Sequence, residues 1–133
     1  MDPDDRRRMD EARKAAERAY APYSGFRVGA LVVASDGSEH IGANVENAAF
    51  PSSICAEANA ITTAVASGAR AVEAVYVTCI DDPGCTPCGN CRQIMREFGV
   101  ERVILEHPGG RLETYRLGDL LPLSFGPDAL GAR

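Results

Sequence analysis

Met9, Ala12, Ala16 and Ala19 recur at spacings of three and four with charges between them, a pattern that predicts a helix from about Asp4 to Tyr20 with one buried stripe. Pro22 and Gly25 are expected to end it. Arg27 to Ala34 and Ile41 to Val45 read as short strands separated by Ser35, Asp36, Gly37 and Ser38, where Asp-Gly favours a tight antiparallel reversal. After Pro51, Ser52 and Ser53 the apolar positions shift to Ile54, Ala60, Ile61, Ala64 and Val65, which predicts a largely buried second helix stopped at Ser67-Gly68. Val72 to Ile80 is a nearly continuous apolar strand. Cys91, Ile94, Met95 and Phe98 then mark a third helix, and Val103 to Leu105 a further strand. Strand, helix and strand in that order favour a parallel pair joined by a right-handed crossover, so a mixed sheet covered by helices is expected and the class is α/β. Leu112 to Tyr115 extends the sheet, and Leu117 to Leu121 forms a short helix before a tail containing Gly and Pro.

At 133 residues and 45% apolar, the chain matches one domain, taken as residues 1–133. Fourteen Lys and Arg against nineteen Asp and Glu leave a net charge of −5, which repels a polyphosphate backbone, so no nucleic-acid partner is expected. Charges at Asp2, Asp4, Asp5, Arg6, Arg7 and Arg8 occupy the place where a secretory signal needs an apolar run. No stretch nears membrane-spanning length. A cytoplasmic protein without a membrane partner is the expectation, and reduced thiols fit that compartment.

Three of the five cysteines, Cys85, Cys88 and Cys91, fall within seven positions, which suits metal ligation better than a disulfide framework. Cys55-Ala56-Glu57 opens the second helix and Pro87-Cys88-Gly89-Asn90-Cys91 opens the third. Three thiols therefore lie at two helix starts, where free N–H groups and partial positive charge favour thiolates. Cys55, Cys88 and Cys91 as ligands leave one tetrahedral position of Zn²⁺ open to water, whose pKa falls towards neutrality there. Glu57 is then placed as a general acid and base that does not ligate the metal. Alone, Cys-x-x-Cys is as often a structural clip, and Glu57 alone is an ordinary acidic residue of a helix's first turn; the constellation carries the chemistry.

With these motifs in place the chain resembles the small homotetrameric cytidine deaminases of the three-cysteine zinc type. The resemblance is carried by Tyr23-Ser24-Gly25-Phe26-Arg27-Val28-Gly29-Ala30, Asn44-Val45-Glu46-Asn47-Ala48, Cys55-Ala56-Glu57, Pro87-Cys88-Gly89-Asn90-Cys91-Arg92-Gln93, Leu120-Leu121-Pro122 and Ser124-Phe125-Gly126-Pro127, in family order. It implies a three-layer α/β/α sandwich around a mixed five-stranded sheet and a homotetramer with sites shared between subunits. It also implies pyrimidine salvage chemistry in which cytidine or 2′-deoxycytidine loses the C4 amine as ammonia and becomes a uridine. In that scheme Asn44 and Glu46 bind the sugar hydroxyls and Phe26 stacks on the base. Phe125 reaches in from a neighbouring subunit, and the backbone beside Cys55 and Ala56 orients the amino group. Without the motifs, Phe26 and Phe125 read as core residues, Asn44 as a turn residue and Glu46 as a surface charge.

The chain departs from the family pattern at three places. Ala58 stands where Arg usually follows Cys-Ala-Glu, which leaves Arg92 as the expected donor to the thiolates. Phe50 replaces the usual Tyr, and Pro51-Ser52-Ser53 replaces a turn containing Gly, so a modified pyrimidine nucleoside or nucleoside antibiotic is the alternative substrate. Cys85 offers a fourth thiolate, and four would close the metal and make the chain a non-catalytic zinc-binding module.

Overall fold

Residues 2–82 and 84–132 are described by a computed structural model of the chain. The first apolar stripe forms helix α1 (Asp5–Ala16), which buries Met9, Ala12, Ala15 and Ala16. It stops short of Tyr20 because that residue is drawn into a bridge with Val45. The Tyr20 N–H donates to the Asn44 carbonyl at 2.9 Å, and the Tyr20 carbonyl accepts from the Glu46 N–H at 2.8 Å. Strands β1 (Val28–Ala34) and β2 (Glu39–Ala43) form the antiparallel hairpin, and Gly37 takes the left-handed φ of 89° that its turn requires. The second strand begins before Ile41 and releases the chain after Ala43, because Val45 is claimed by Tyr20 on one side and Ile54 on the other.

Helix α2 (Ala56–Ala66), strand β3 (Val72–Cys79), helix α3 (Gly89–Glu97), strands β4 (Arg102–Glu106) and β5 (Leu112–Arg116) and the short helix α4 (Leu117–Leu120) follow in order. The sheet runs β2-β1-β3-β4-β5, with β3 and β4 parallel across the α3 crossover and every other pair antiparallel. Alternate residues of the central strands serve opposite layers. Leu31, Val33, Ala74, Tyr76 and Ile104 pack under α1, whereas Val32, Val75, Val77 and Val103 pack against Ala60, Ile61 and Met95 of α2 and α3. Burial on both faces explains why β3 reads as a continuous apolar run. Among the described residues no helix is long and apolar enough to cross a membrane.

Two glycines set how closely the helices approach the sheet. A Cβ at Gly29 would lie 1.9 Å from the Ala12 carbonyl oxygen of α1. One at Gly42 would lie 2.4 Å from the Ala60 nitrogen and 2.7 Å from the Ala56 oxygen of α2. The α2 contact is reinforced by Asn59, whose Oδ1 accepts the Ala43 N–H at 3.0 Å.

Under α1 the layer is polar as well as apolar. The buried Tyr76 hydroxyl donates to Asp5 Oδ1 at 2.5 Å and accepts from Arg8 at 3.1 Å. Glu106, 5% exposed, accepts from Thr78 Oγ1 at 2.7 Å, from Arg6 at 3.0 Å and from Arg13. Arg7 and Arg8 hold Glu39 of β2 at 2.7 and 2.9 Å.

Two outcomes follow from these contacts. Gly29→Ala forces a methyl into helix backbone that cannot yield as a side chain would, and urea unfolding is expected to show a loss of about 3 kcal/mol. The Arg7 hydrogen bonds are the chief cause that holds the Glu39 carboxyl down at about 2 against an ordinary 4.5. A depressed folded pKa means that its stabilisation is complete above 4.5 and is lost as pH falls towards 2. The difference in Tm between the parent and Glu39→Gln should therefore shrink across that window and be constant above it.

Candidate active site and metal centre

Cys55 and Cys88 hold equivalent positions on two helices. Each is the residue before the first helical turn, with extended backbone at φ −73°, ψ 155° and φ −70°, ψ 166°, and neither side chain caps its own helix. Cys91 follows inside the first turn of α3 and is buried. Because α2 and α3 cover the same face of the sheet, their starts converge. The three sulfurs lie within 4.8 Å of one another, with Cys55 and Cys88 Sγ at 3.8 Å.

The protonation chemistry of this cluster calls for a cation. Hydrogen bonding from Cys91, and then from Cys88, holds the Cys55 thiol down at about 6. The same bond to Cys55, followed by burial, pushes Cys91 far up. One proton leaves readily and the next resists, so three thiolates coexist only with a positive charge between them. Sulfurs on tetrahedral zinc, with Zn–S of about 2.3 Å, stand about 3.8 Å apart, which is the Cys55–Cys88 spacing. The donor set and its spacing fit Zn²⁺, and Glu57 is not part of the group.

Glu57 sits in the first turn of α2, 4% exposed. Burial pushes its carboxyl up to about 7, with the Cys55 charge adding to the effect. It lines a cavity of about 210 Å³ whose wall also contains Phe26, Asn44, Cys55, Ala56 and Cys88. Asn44 is anchored there by two backbone bonds: its Oδ1 accepts the Val28 N–H and its Nδ2 donates to the Phe26 carbonyl, both at 2.8 Å.

Glu46, two residues after Asn44, lines a groove of about 370 Å³ with Tyr23, Ser24, Phe50 and Ser53. Its carboxylate accepts the Tyr23 and Ser24 N–H groups at 3.0 and 3.1 Å and the Ser24 hydroxyl; that hydroxyl is the main reason its pKa lies below the usual value. Phe125 is 61% exposed and is not part of the cavity wall on its own chain. Arg92 does not reach sulfur. Its Nε donates to the Pro87 carbonyl and its second nitrogen to the Leu120 carbonyl, each at 2.8 Å, so it braces the loop ahead of Cys88. Cys85 stays outside the sulfur group; burial, then the neighbouring Cys79 thiol, pushes its pKa up. The four-thiolate arrangement is thus not the one that forms.

Val77 and Thr86 line the cavity although no motif drew attention to them, and Cys85 lines it as a wall residue outside the sulfur group. For Val77 the signal existed: it shares its strand face with Val75, the face that α2 and α3 cover. Thr86 and Cys85 enter from the loop between β3 and α3, a placement that no spacing rule conveys.

The family model described as the cytidine and deoxycytidylate deaminase zinc-binding region matches residues 2–107. The cytidine deaminase of Sporosarcina psychrophila is 40% identical over 122 residues, 90% of each chain. The crystal structure of cytidine deaminase from Burkholderia pseudomallei superposes with a TM-score of 0.83 at 41% identity, covering 90% of this chain and 97% of that one. The Mycobacterium tuberculosis enzyme gives 0.82 at 36% identity, covering 94% and 99%.

Metal content provides the check on this geometry. Purified chain is expected to carry about one zinc per copy with three sulfur neighbours by X-ray absorption. Cys88→Ala should lose most of it, and Cys85→Ser should retain it with unchanged sulfur count.

Proposed function

This chain belongs to the cytidine and deoxycytidylate deaminase family, and we propose that it hydrolyses cytidine or 2′-deoxycytidine at C4 to the corresponding uridine and ammonia. The observation that carries the reading is the buried Glu57 carboxyl, lining a cavity of about 210 Å³ beside three convergent thiols. Zinc, when held by Cys55, Cys88 and Cys91, supplies a Lewis acid that acidifies water.

Glu57 does the proton work. Its carboxylate accepts a proton from the attacking water and delivers it to ring N3, so that C4 becomes tetrahedral. It then takes the remaining hydroxyl proton and gives it to the amine, which leaves as ammonia while C4 recovers a carbonyl. Burial, which raises the Glu57 carboxyl above the ordinary carboxylate range, suits a group that must hold the proton between steps. The Ala56 backbone at the start of α2 orients the amino group, and Phe26 stacks on the base.

Asn44 and Glu46 address the sugar. Asn44 keeps one amide proton and one lone pair beyond its two backbone bonds, and Glu46 is held ionised with one acceptor position unused. Both are therefore rigid and unsaturated, which suits recognition of hydroxyls. Arg92 acts behind the ligands by fixing the Pro87 carbonyl next to Cys88.

The active form is a homotetramer of single 1–133 domains in the cytoplasm, where thiols stay reduced. Support comes from the two bridges that align Tyr20, Val45 and Ile54, each 43% exposed or more, and from the exposed Phe125, which a neighbouring copy would cover. A modified pyrimidine nucleoside is favoured as second substrate by one feature. Phe50, 69% exposed and edge-on to Tyr23 at 5.8 Å, gives the Glu46 groove an apolar wall where a hydroxyl would discriminate.

The test is ammonia release from cytidine, deoxycytidine, cytosine and modified analogues by zinc-loaded protein. A nucleoside is expected to react, and Glu57→Gln should lower kcat by about 10²–10⁴ with zinc content and Tm preserved. Silence across the panel with zinc bound would sink the assignment.

A further inference from the structure

Helix α3 holds more than thiols. Gln93 and Arg96, three residues apart and therefore on one side of the helix, both grip the C-terminal tail. Gln93 Nε2 donates to the Phe125 carbonyl at 2.8 Å. Arg96 Nε donates to Ser124 Oγ at 3.0 Å, and another of its guanidinium nitrogens pairs with Asp128 Oδ1 at 2.9 Å. Between those two contacts the guanidinium lies flat against Gly126: a Cβ there would stand 2.4 to 2.7 Å from its carbon and terminal nitrogens. Gly126 is buried by this contact while the Phe125 ring next to it stays 61% exposed.

The chain entering this clasp is strained. Leu123 takes φ of 52°, the sole described non-glycine residue with positive φ, and its side chain is fully exposed. An L-residue holds that conformation where its surroundings over-determine it, and the fixation here comes from α3 one residue later. The backbone on both sides of Phe125 is therefore set by Gln93 and Arg96, and the ring is aimed away from its own chain.

We propose that Arg96 is a positioning residue for substrate binding in a neighbouring copy. By clasping Ser124, Gly126 and Asp128 it fixes the direction in which Phe125 leaves the chain to cover the nucleoside base held by the next subunit. The inference rests on the reading that Phe125 completes a neighbour's site. It adds that α3 serves two sites at once, with Cys88 and Cys91 at its start for its own and Arg96 at its end for the next.

The experiment compares the steady-state kinetics of zinc-loaded Arg96→Ala, Gly126→Ala and Phe125→Ala, together with uridine affinity by titration calorimetry. Loss of a base–aromatic contact is worth about tenfold or more in affinity. Phe125→Ala should raise KM and the uridine Kd by about that factor. Arg96→Ala and Gly126→Ala should each reproduce most of the rise with kcat within about twofold, and combining the two should add little, since both release the same clasp. Arg96→Lys, which keeps the charge but not the fork, should fall between. Mixed oligomers of Arg96→Ala with Glu57→Gln chains should recover low KM, because the competent Glu57 sites are then covered by tails with an intact clasp.

The two layers of the inference fail differently. Unchanged KM and Kd in Phe125→Ala would remove the shared-site reading. A rise in Phe125→Ala without one in Arg96→Ala or Gly126→Ala would leave that reading standing and overturn the role of Arg96. Arg96→Ala that loses kcat, Tm and assembly together, or mixed oligomers that keep high KM, would also overturn it.

Discussion

The contact on which the rest of the site depends is the descent of α2 onto the sheet at Gly42. A helix backbone comes this near a strand only where the strand lacks a Cβ, and here the atoms that would collide belong to Ala56 and Ala60. Ala56 lies between Cys55 and Glu57, so the depth at which the helix settles is also the depth of the first ligand and the acid. Asn59 closes the same contact from the helix side by accepting the Ala43 N–H, giving an otherwise open strand position a partner. Placement of the ligand and the acid is thereby delegated to helix backbone and to one amide.

Given that seat, electrostatics explains why the cluster forms at helix starts. Three sulfurs and a buried carboxyl in one small volume repel once ionised, and neither helix supplies a basic side chain to them: Ala58 is neutral and Arg92 is spent on two carbonyls. What remains is the partial positive charge and the free N–H groups of two helix N-termini, together with the metal. The family's more usual arrangement shares this load with an arginine; here the backbone and the metal carry it.

Much of this was readable from the sequence because the signals were local. Thiol spacing, the acid two positions after Cys55, the period-two and period-3.6 patterns and the Asp-Gly turn all act within a few residues, and the five strands appear in the expected order. What escaped depended on partners far along the chain. The end of α1 is set by Val45, and the destination of Arg92 by the Leu120 carbonyl. The two glycine seats escaped for the same reason, since a small residue in a strand looks like a weak strand until the helix above it is known.

The polar layer beneath α1 bears on how such a sequence can change over time. Glu106 answers to Thr78, Arg6 and Arg13, while Asp5, Tyr76 and Arg8 form a second set that Arg8 ties to Glu39, and the side chains of Glu106 and Asp5 lie out of water. Losing one partner strands a charge where solvent cannot reach it, whereas exchanging the whole set for apolar residues of similar volume is nearly neutral. Single steps are therefore closed and only concerted ones open. The residues of each set are expected to change together, and the sheet face under α1, opposite the one that α2 and α3 cover, is less free to drift than its remoteness from the thiols suggests.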